Sequence, residues 1–157
     1  VFLENEVFRT VVGSTPLVSM DLIVRRPSGE ILLGQRLNRP AQGYWFVPGG
    51  RILKNEGLDA AFARLTLTEL GQGFARSDAR LLGVYEHFYQ DSVFGEDEAS
   101  PNTHYVVLGY QLDLPEDFPL EPPTEQHGSY QWWSVDAIRD DNRVHRNTQA
   151  YLADLMV

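Results

Sequence analysis

Glu69 is the residue of this chain whose surroundings most need a chemical explanation. The spacing predicts a helix over residues 57–70, entered from the paired glycines Gly49 and Gly50 through a short loop and stopped at Gly71. At about 100° per residue, Leu58, Phe62, Leu65 and Glu69 fall on one face of that helix. A carboxylate that shares a face with three apolar residues has to be paired, neutralised or bound to a metal. Asp21 poses the same question on a strand. It stands among Met20, Leu22 and Ile23 and needs a partner.

The elements that must position these groups follow from pattern and punctuation. Residues 2–12 form a short helix with Phe2, Leu3, Phe8 and Val12 as its apolar positions, broken by Thr15-Pro16. Residues 17–26 and 31–36 read as strands around a Pro27-Ser28-Gly29-Glu30 turn, a hairpin. Tyr44 to Val47 is a short strand that Pro48-Gly49-Gly50 stops in a turn. Residues 80–90 and 104–114 are two more strands, rich in Val, Tyr, Phe and Leu. The acidic, turn-rich segment Asp91 to Asn102 between them reads as a mobile loop. Four prolines make residues 115–128 an irregular connection. A strand at Tyr130 to Ser134, a helical turn at Val135 to Arg139 and a last helix at Thr148 to Leu155 complete the chain. Hairpins mixed with one long helix give an α/β class, a mixed sheet with helices packed on it.

The 157 residues fit a single domain over 1–157. A net charge of −9 argues against general nucleic-acid binding, which needs a basic footprint. An acidic protein still binds a small polyanion through a few local arginines, a divalent cation, or both. No apolar run of membrane-spanning length occurs, so no membrane partner is expected. No charged-then-apolar leader opens the chain, and there are no cysteines. A cytoplasmic location is the expectation.

Gly50, Glu56, Arg64, Glu69 and Gly71 occupy matching places in the Nudix signature, and the stretch resembles it. The departures are Leu65 where the pattern has Glu, Thr68 at the first Glu of its pair, and Gln72 in place of an aliphatic residue. Taken with Thr15 to Ser19, Asn38 to Arg51, Thr103 to Gly109 and Glu125-Gln126-His127, the chain is similar over nearly its whole length to the GDP-mannose mannosyl hydrolase branch of that family. The resemblance implies a Nudix-type α/β/α sandwich. It also implies hydrolysis of GDP-mannose, or a related GDP-hexose, to GDP and free sugar with inversion, water attacking the anomeric carbon. Fewer carboxylates mean fewer hard-cation ligands, so one Mg²⁺ per subunit is expected, with Mn²⁺ able to substitute.

The same resemblance implies the roles. Glu69, the backbone carbonyl of Gly49 and the side chain of Gln126 would hold the metal. His127 would be the general base, a task an imidazole with a pKa near about 6.5 performs close to neutrality. Arg36 and Arg51 would grip the diphosphate, for which a guanidinium fork is suited. Arg64 would pair with a signature carboxylate and shape the loop. Asp21 and Tyr105 would lie in the pocket, against the leaving group or nearby arginines. Phe2, Leu3 and Phe8 would meet the guanine, across the interface of a homodimer. Two other readings stand beside this one: a pyrophosphohydrolase attacking phosphorus, and a nucleotide-sugar binding module without turnover.

Overall fold

The computed structural model describes residues 3–122 and 127–157, with the side chains of residues 127 and 128 outside the description. Strand β1, Leu17–Arg25, is the centre of the sheet. Its alternation separates two cores. Met20, Leu22 and Val24 face one side with Leu32, Phe62, Leu65, Leu70 and Leu112. Ile23 faces the other with Leu33, Trp45, Val47, Trp133, Ile138 and Tyr151. Strand side chains alternate between faces, so one apolar strand supplies both cores.

The other elements are helix α1 (Asn5–Ser14), strands β2 (Ile31–Arg36), β3 (Trp45–Phe46), β4 (Gly49–Arg51), β5 (Arg80–Tyr89), β6 (Thr103–Asp113) and β7 (His127–Trp133), and helices α2 (Leu58–Leu70), α3 (Val135–Asp140) and α4 (Arg146–Gln149). A 3-10 turn spans Arg76–Asp78 and another Ala150–Asp154. The strand order is β3-β2-β1-β6-β5, with β4 paired to β1 and β7 to β2. β1 and β6 run parallel, and the other pairs are antiparallel. The mixed sheet lies between α2 and the C-terminal helices. This is the expected α/β/α arrangement.

Several expectations change. The Gly49-Gly50 segment is a strand rather than a turn. Ser19, Met20 and Asp21 pair with Arg51, Gly50 and Gly49, because β2 leaves β1 after Arg25↔Ile31 and frees its edge. A Cβ at Gly49 would lie 2.4 Å from the Met20 carbonyl oxygen, so only glycine allows this approach. Leu58 does not join the core face. It opens α2 beyond the sheet and is 40% exposed, while Phe62, Leu65 and Glu69 are buried. The third change is that β7 starts at His127, three residues early, drawn into register opposite Arg36.

The acidic 91–102 segment, read as mobile, is tied down. Ser92 and Gly95 exchange backbone hydrogen bonds, and the Thr103 hydroxyl donates to the Asp91 carbonyl. Phe94 packs on Phe8 of α1, and Arg9 donates to the Ala99 carbonyl. Arg39 pairs with Asp91 and Glu96. The last helix is also displaced. His145 caps α4, its Nδ1 accepting from the Asn147 N–H, and the chain then tightens into the 3-10 turn.

Candidate active site

Where β1 separates from β2, the ends of β2 and β4 and the last turn of α2 border a cleft of about 670 Å³, open mouth included. Asp21, Arg36, Gly49, Arg51, Glu69 and Tyr105 all line it. Register explains the convergence. Ser19 and Asp21 of β1 lie beside Val107 and Gly109 of β6, and Leu17 beside Tyr105. Residues two apart share a face, so Asp21 and Tyr105 open onto the same side.

Glu69 is 4% exposed. It accepts from the Gly49 N–H, and burial pushes its carboxyl up to about 7, with Arg36 opposing and Asp21 adding to the rise. Its Oε2 is buried with no hydrogen-bond partner among the described residues. An orphaned buried carboxylate oxygen beside a glycine backbone fits a hard cation, which prefers oxygen ligands and would restore the charged form. The departures from the signature are visible here. Leu65 packs on Gly50, its Cδ2 lying 2.5 Å from where a Cβ of residue 50 would be. Thr68 points to solvent. No group of three or more His, Cys, Asp or Glu residues is arranged to hold a metal among the described residues. The signature helix therefore presents one carboxylate to the cleft.

Arg64 braces the loop before α2. It donates to both oxygens of Glu56 at 2.7 and 2.9 Å and to the Arg51 carbonyl at 2.8 Å. Glu56 in turn accepts from the Leu53 N–H. These hydrogen bonds, those of Arg64 foremost, hold the Glu56 carboxyl down at about 2.

The cleft arginines are held differently. Arg36 makes a long contact to the Asn38 carbonyl, 3.5 Å, and lies over Phe46. Arg51 lies over the Phe8 ring, 4.4 Å from its centroid. Neither has an acidic partner within ion-pair distance among the described residues, whereas Arg25, Arg26, Arg39, Arg64, Arg76, Arg80, Arg139 and Arg143 all do. Two uncompensated guanidinium groups facing one cleft form an anion site.

Asp21 has the partner it needed, though not an arginine. The Tyr151 hydroxyl donates to its Oδ2 at 2.6 Å. Burial raises the Asp21 carboxyl to about 6, against the pull of Tyr151 and Arg36. Burial likewise raises the Tyr105 phenol, while Arg36 and Arg51 oppose it.

Not every expected residue joins the cleft. Phe8 reaches it only through Arg51, with Phe94 as its other ring contact. Leu3 is exposed ahead of α1 and Phe2 lies outside the described residues. Gln126 also lies outside them. His127 is placed by its backbone opposite Arg36, with its side chain outside the description. Reading the sequence takes His87 for a structural residue of its strand and misses Tyr89, Phe46 and Tyr151. His87 pairs with Tyr105 across β5 and β6 and lines the cleft. Burial holds its imidazole down at about 4. No short-range signal marks these residues, because each is brought in by long-range pairing.

The comparisons agree with this fold. A family model described as NUDIX domain matches residues 15–154. The low-salt glycan biosynthesis protein Agl8 of Haloferax volcanii is 38% identical over 115 residues, 73% of this chain and 70% of that protein. The crystal structure of the MutT NUDIX hydrolase from Burkholderia pseudomallei superposes with a TM-score of 0.69 at 26% identity, covering 91% of this chain and all of that one. The NUDIX domain of Shewanella oneidensis NrtR, solved with ADP ribose, shares the fold, with a TM-score of 0.65 at 16% identity over 97% of this chain and 90% of that one. This chain belongs to the NUDIX domain family.

Proposed function

We propose that the protein is a hydrolase of a nucleoside diphosphate sugar. The substrate is GDP-mannose or a related GDP-hexose, and the products are GDP and free sugar with inversion. The observation that carries the reading is the single carboxylate, Glu69, that α2 turns into the cleft, with Leu65 and Thr68 unable to add ligands. An enzyme that attacks carbon does not need several cations to make hydroxide. Glu69, the Gly49 carbonyl and Gln126 are the residues that would hold one Mg²⁺, or Mn²⁺ in its place. When bound, that ion supplies Lewis-acid neutralisation of a departing diphosphate.

The chain's own residues do the rest. Arg36 and Arg51 bind the diphosphate and offset the charge that builds on GDP as the sugar C1–O bond breaks. The bond's electron pair leaves with the GDP oxygen. His127 accepts the proton from the attacking water, whose oxygen forms the new bond to C1. Asp21 and Tyr105 bind and orient the substrate in the cleft. The similarity to a protein named for glycan biosynthesis favours a sugar nucleotide over other diphosphates. In this reading the protein acts in the cytoplasm as a homodimer, with the exposed Leu3 available to the nucleobase.

Hydrolysis of GDP-mannose with Mg²⁺ in ¹⁸O-labelled water tests this reading. Label in mannose with unlabelled GDP supports it. Label in GMP or sugar phosphate moves the attack to phosphorus and removes His127 from its role. Binding of GDP-mannose without product leaves a nucleotide-sugar binding module.

A further inference from the structure

Asp21 and Arg36 face one cleft with opposite charges, yet they are not among the ion pairs of the described residues. A partly buried carboxylate close to an unpaired guanidinium would ordinarily close on it. Asp21 is held instead by its neighbours in the sheet. Asp21 lies in one sheet row between Gly49 of β4 and Gly109 of β6. A Cβ at Gly49 would lie 2.5 Å from Asp21 Oδ1, so the missing side chain is the carboxylate's seat. A Cβ at Gly109 would lie 3.1 Å from the Tyr151 ring and 2.9 Å from the Tyr85 ring. The second glycine therefore admits Tyr151 to the floor of the sheet. There it is 1% exposed and bonded to Asp21 Oδ2 at 2.6 Å. Tyr85 meets it edge-on, 4.7 Å between centroids, and is itself anchored through its hydroxyl to Asp154.

We infer that Tyr151 is a positioning residue: its hydroxyl tethers Asp21 away from Arg36, so that both charges stay available to substrate. The inference rests on the anion-site reading of the cleft and deepens it. One oxygen of Asp21 is held by Tyr151, and the other is left beside Gly49, whose carbonyl is among the groups that would hold the metal. Without the tether the carboxylate turns to Arg36, and the cleft loses a cation and an oriented acceptor in one movement.

The test is Tyr151→Phe, which keeps the ring and its packing and removes only the donor. Its readouts are pyrophosphate affinity by calorimetry in Mg²⁺ and the kcat and KM of GDP-mannose hydrolysis. Tyr151→Phe is expected to weaken pyrophosphate binding roughly 5- to 10-fold, a loss within the range of one ordinary hydrogen bond. The double variant Tyr151→Phe/Asp21→Asn is expected to recover that affinity, because a neutral side chain cannot capture Arg36, while its kcat stays low. Tyr85→Phe, which removes the neighbouring hydroxyl of the same aromatic cluster, is expected to leave both readouts within about twofold. A merely structural tyrosine would give no recovery on removing the Asp21 charge. That result, or wild-type affinity in Tyr151→Phe, overturns the inference. Pyrophosphate binding by the wild type without GDP-mannose hydrolysis overturns the substrate assignment and leaves the tether to be judged on affinity alone. A wild type that binds no pyrophosphate overturns the anion site and the tether together.

Discussion

At the scale of the residue, the cleft separates groups by what their surroundings do to charge. Glu69 and Asp21 are carboxyls raised by burial to about 7 and about 6, while Glu56, at the start of the same signature, is held at about 2 by Arg64. The first two gain from a cation or a substrate, and the third is already satisfied. Glu69→Gln should therefore lower Mg²⁺ affinity by at least about tenfold, as replacing even an outer partner of a ligand commonly does. Titration calorimetry reads this directly, and unchanged affinity would remove Glu69 from the ligand set. His127→Gln should lower kcat about 10²- to 10⁴-fold, the usual contribution of a general base, with Mg²⁺ affinity unchanged. Normal turnover in that variant would require a different base.

At the scale of the element, β4 is the piece that makes a cleft out of a sheet. Its three residues carry Gly49 and Arg51 and pin them to β1 opposite Asp21 and Ser19. Gly49→Ala is expected to cost about 1–3 kcal/mol, as overpacking does, because its methyl would press on the Met20 carbonyl and Asp21 Oδ1. Urea unfolding gives the figure, and an unchanged midpoint would mean that β4 can slide. This element also marks where reading the sequence stopped. The α2 helix was legible from its helix formers and its end at Gly71, which is left-handed with φ 79°. The strands β1, β2, β5 and β6 were legible from their β-branched and aromatic runs. The glycine pair was read as a turn because glycine usually marks one, whereas here it marks close approach of two backbones. Glu69 was legible because periodicity is local. Tyr151 and His87 were not, because their partners are set by strand pairing that no window of sequence contains.

At the scale of the whole molecule, two pairs of groups pull stability in opposite directions with pH. Burial lowers His87 and His145 to about 4. Their unfolded forms take up protons first, so they cost stability as pH falls from about 6.5 towards 4 and cost nothing above it. Asp21 and Glu69 are raised instead. Their folded forms hold protons longer, so their contribution is complete below about 4 and is lost as pH rises through about 6 and 7. The windows overlap, and without divalent metal the profile between pH 4 and 6.5 should be nearly flat. Asp21→Asn removes one acid and its desolvation. It should raise the thermal midpoint at pH 8 and make stability climb with pH between 4 and 6.5. Parallel melting curves across pH check this, and a midpoint at pH 8 no higher than wild type would show that Asp21 carries no burial penalty.

The bond between Tyr151 and Asp21 joins positions 130 residues apart, and such long-range contacts slow folding because the intervening loop must close first. On a ribosome adding about 5–20 residues per second, β1 emerges well before the turn that secures it. A chain halted just short of residue 151 would hold every strand of the sheet and both cleft arginines, yet its aspartate would be loose. The cleft is therefore completed only after residue 151 has been made, and a chain stopped before it lacks both the hydroxyl that holds Asp21 and a buried ring of the second core.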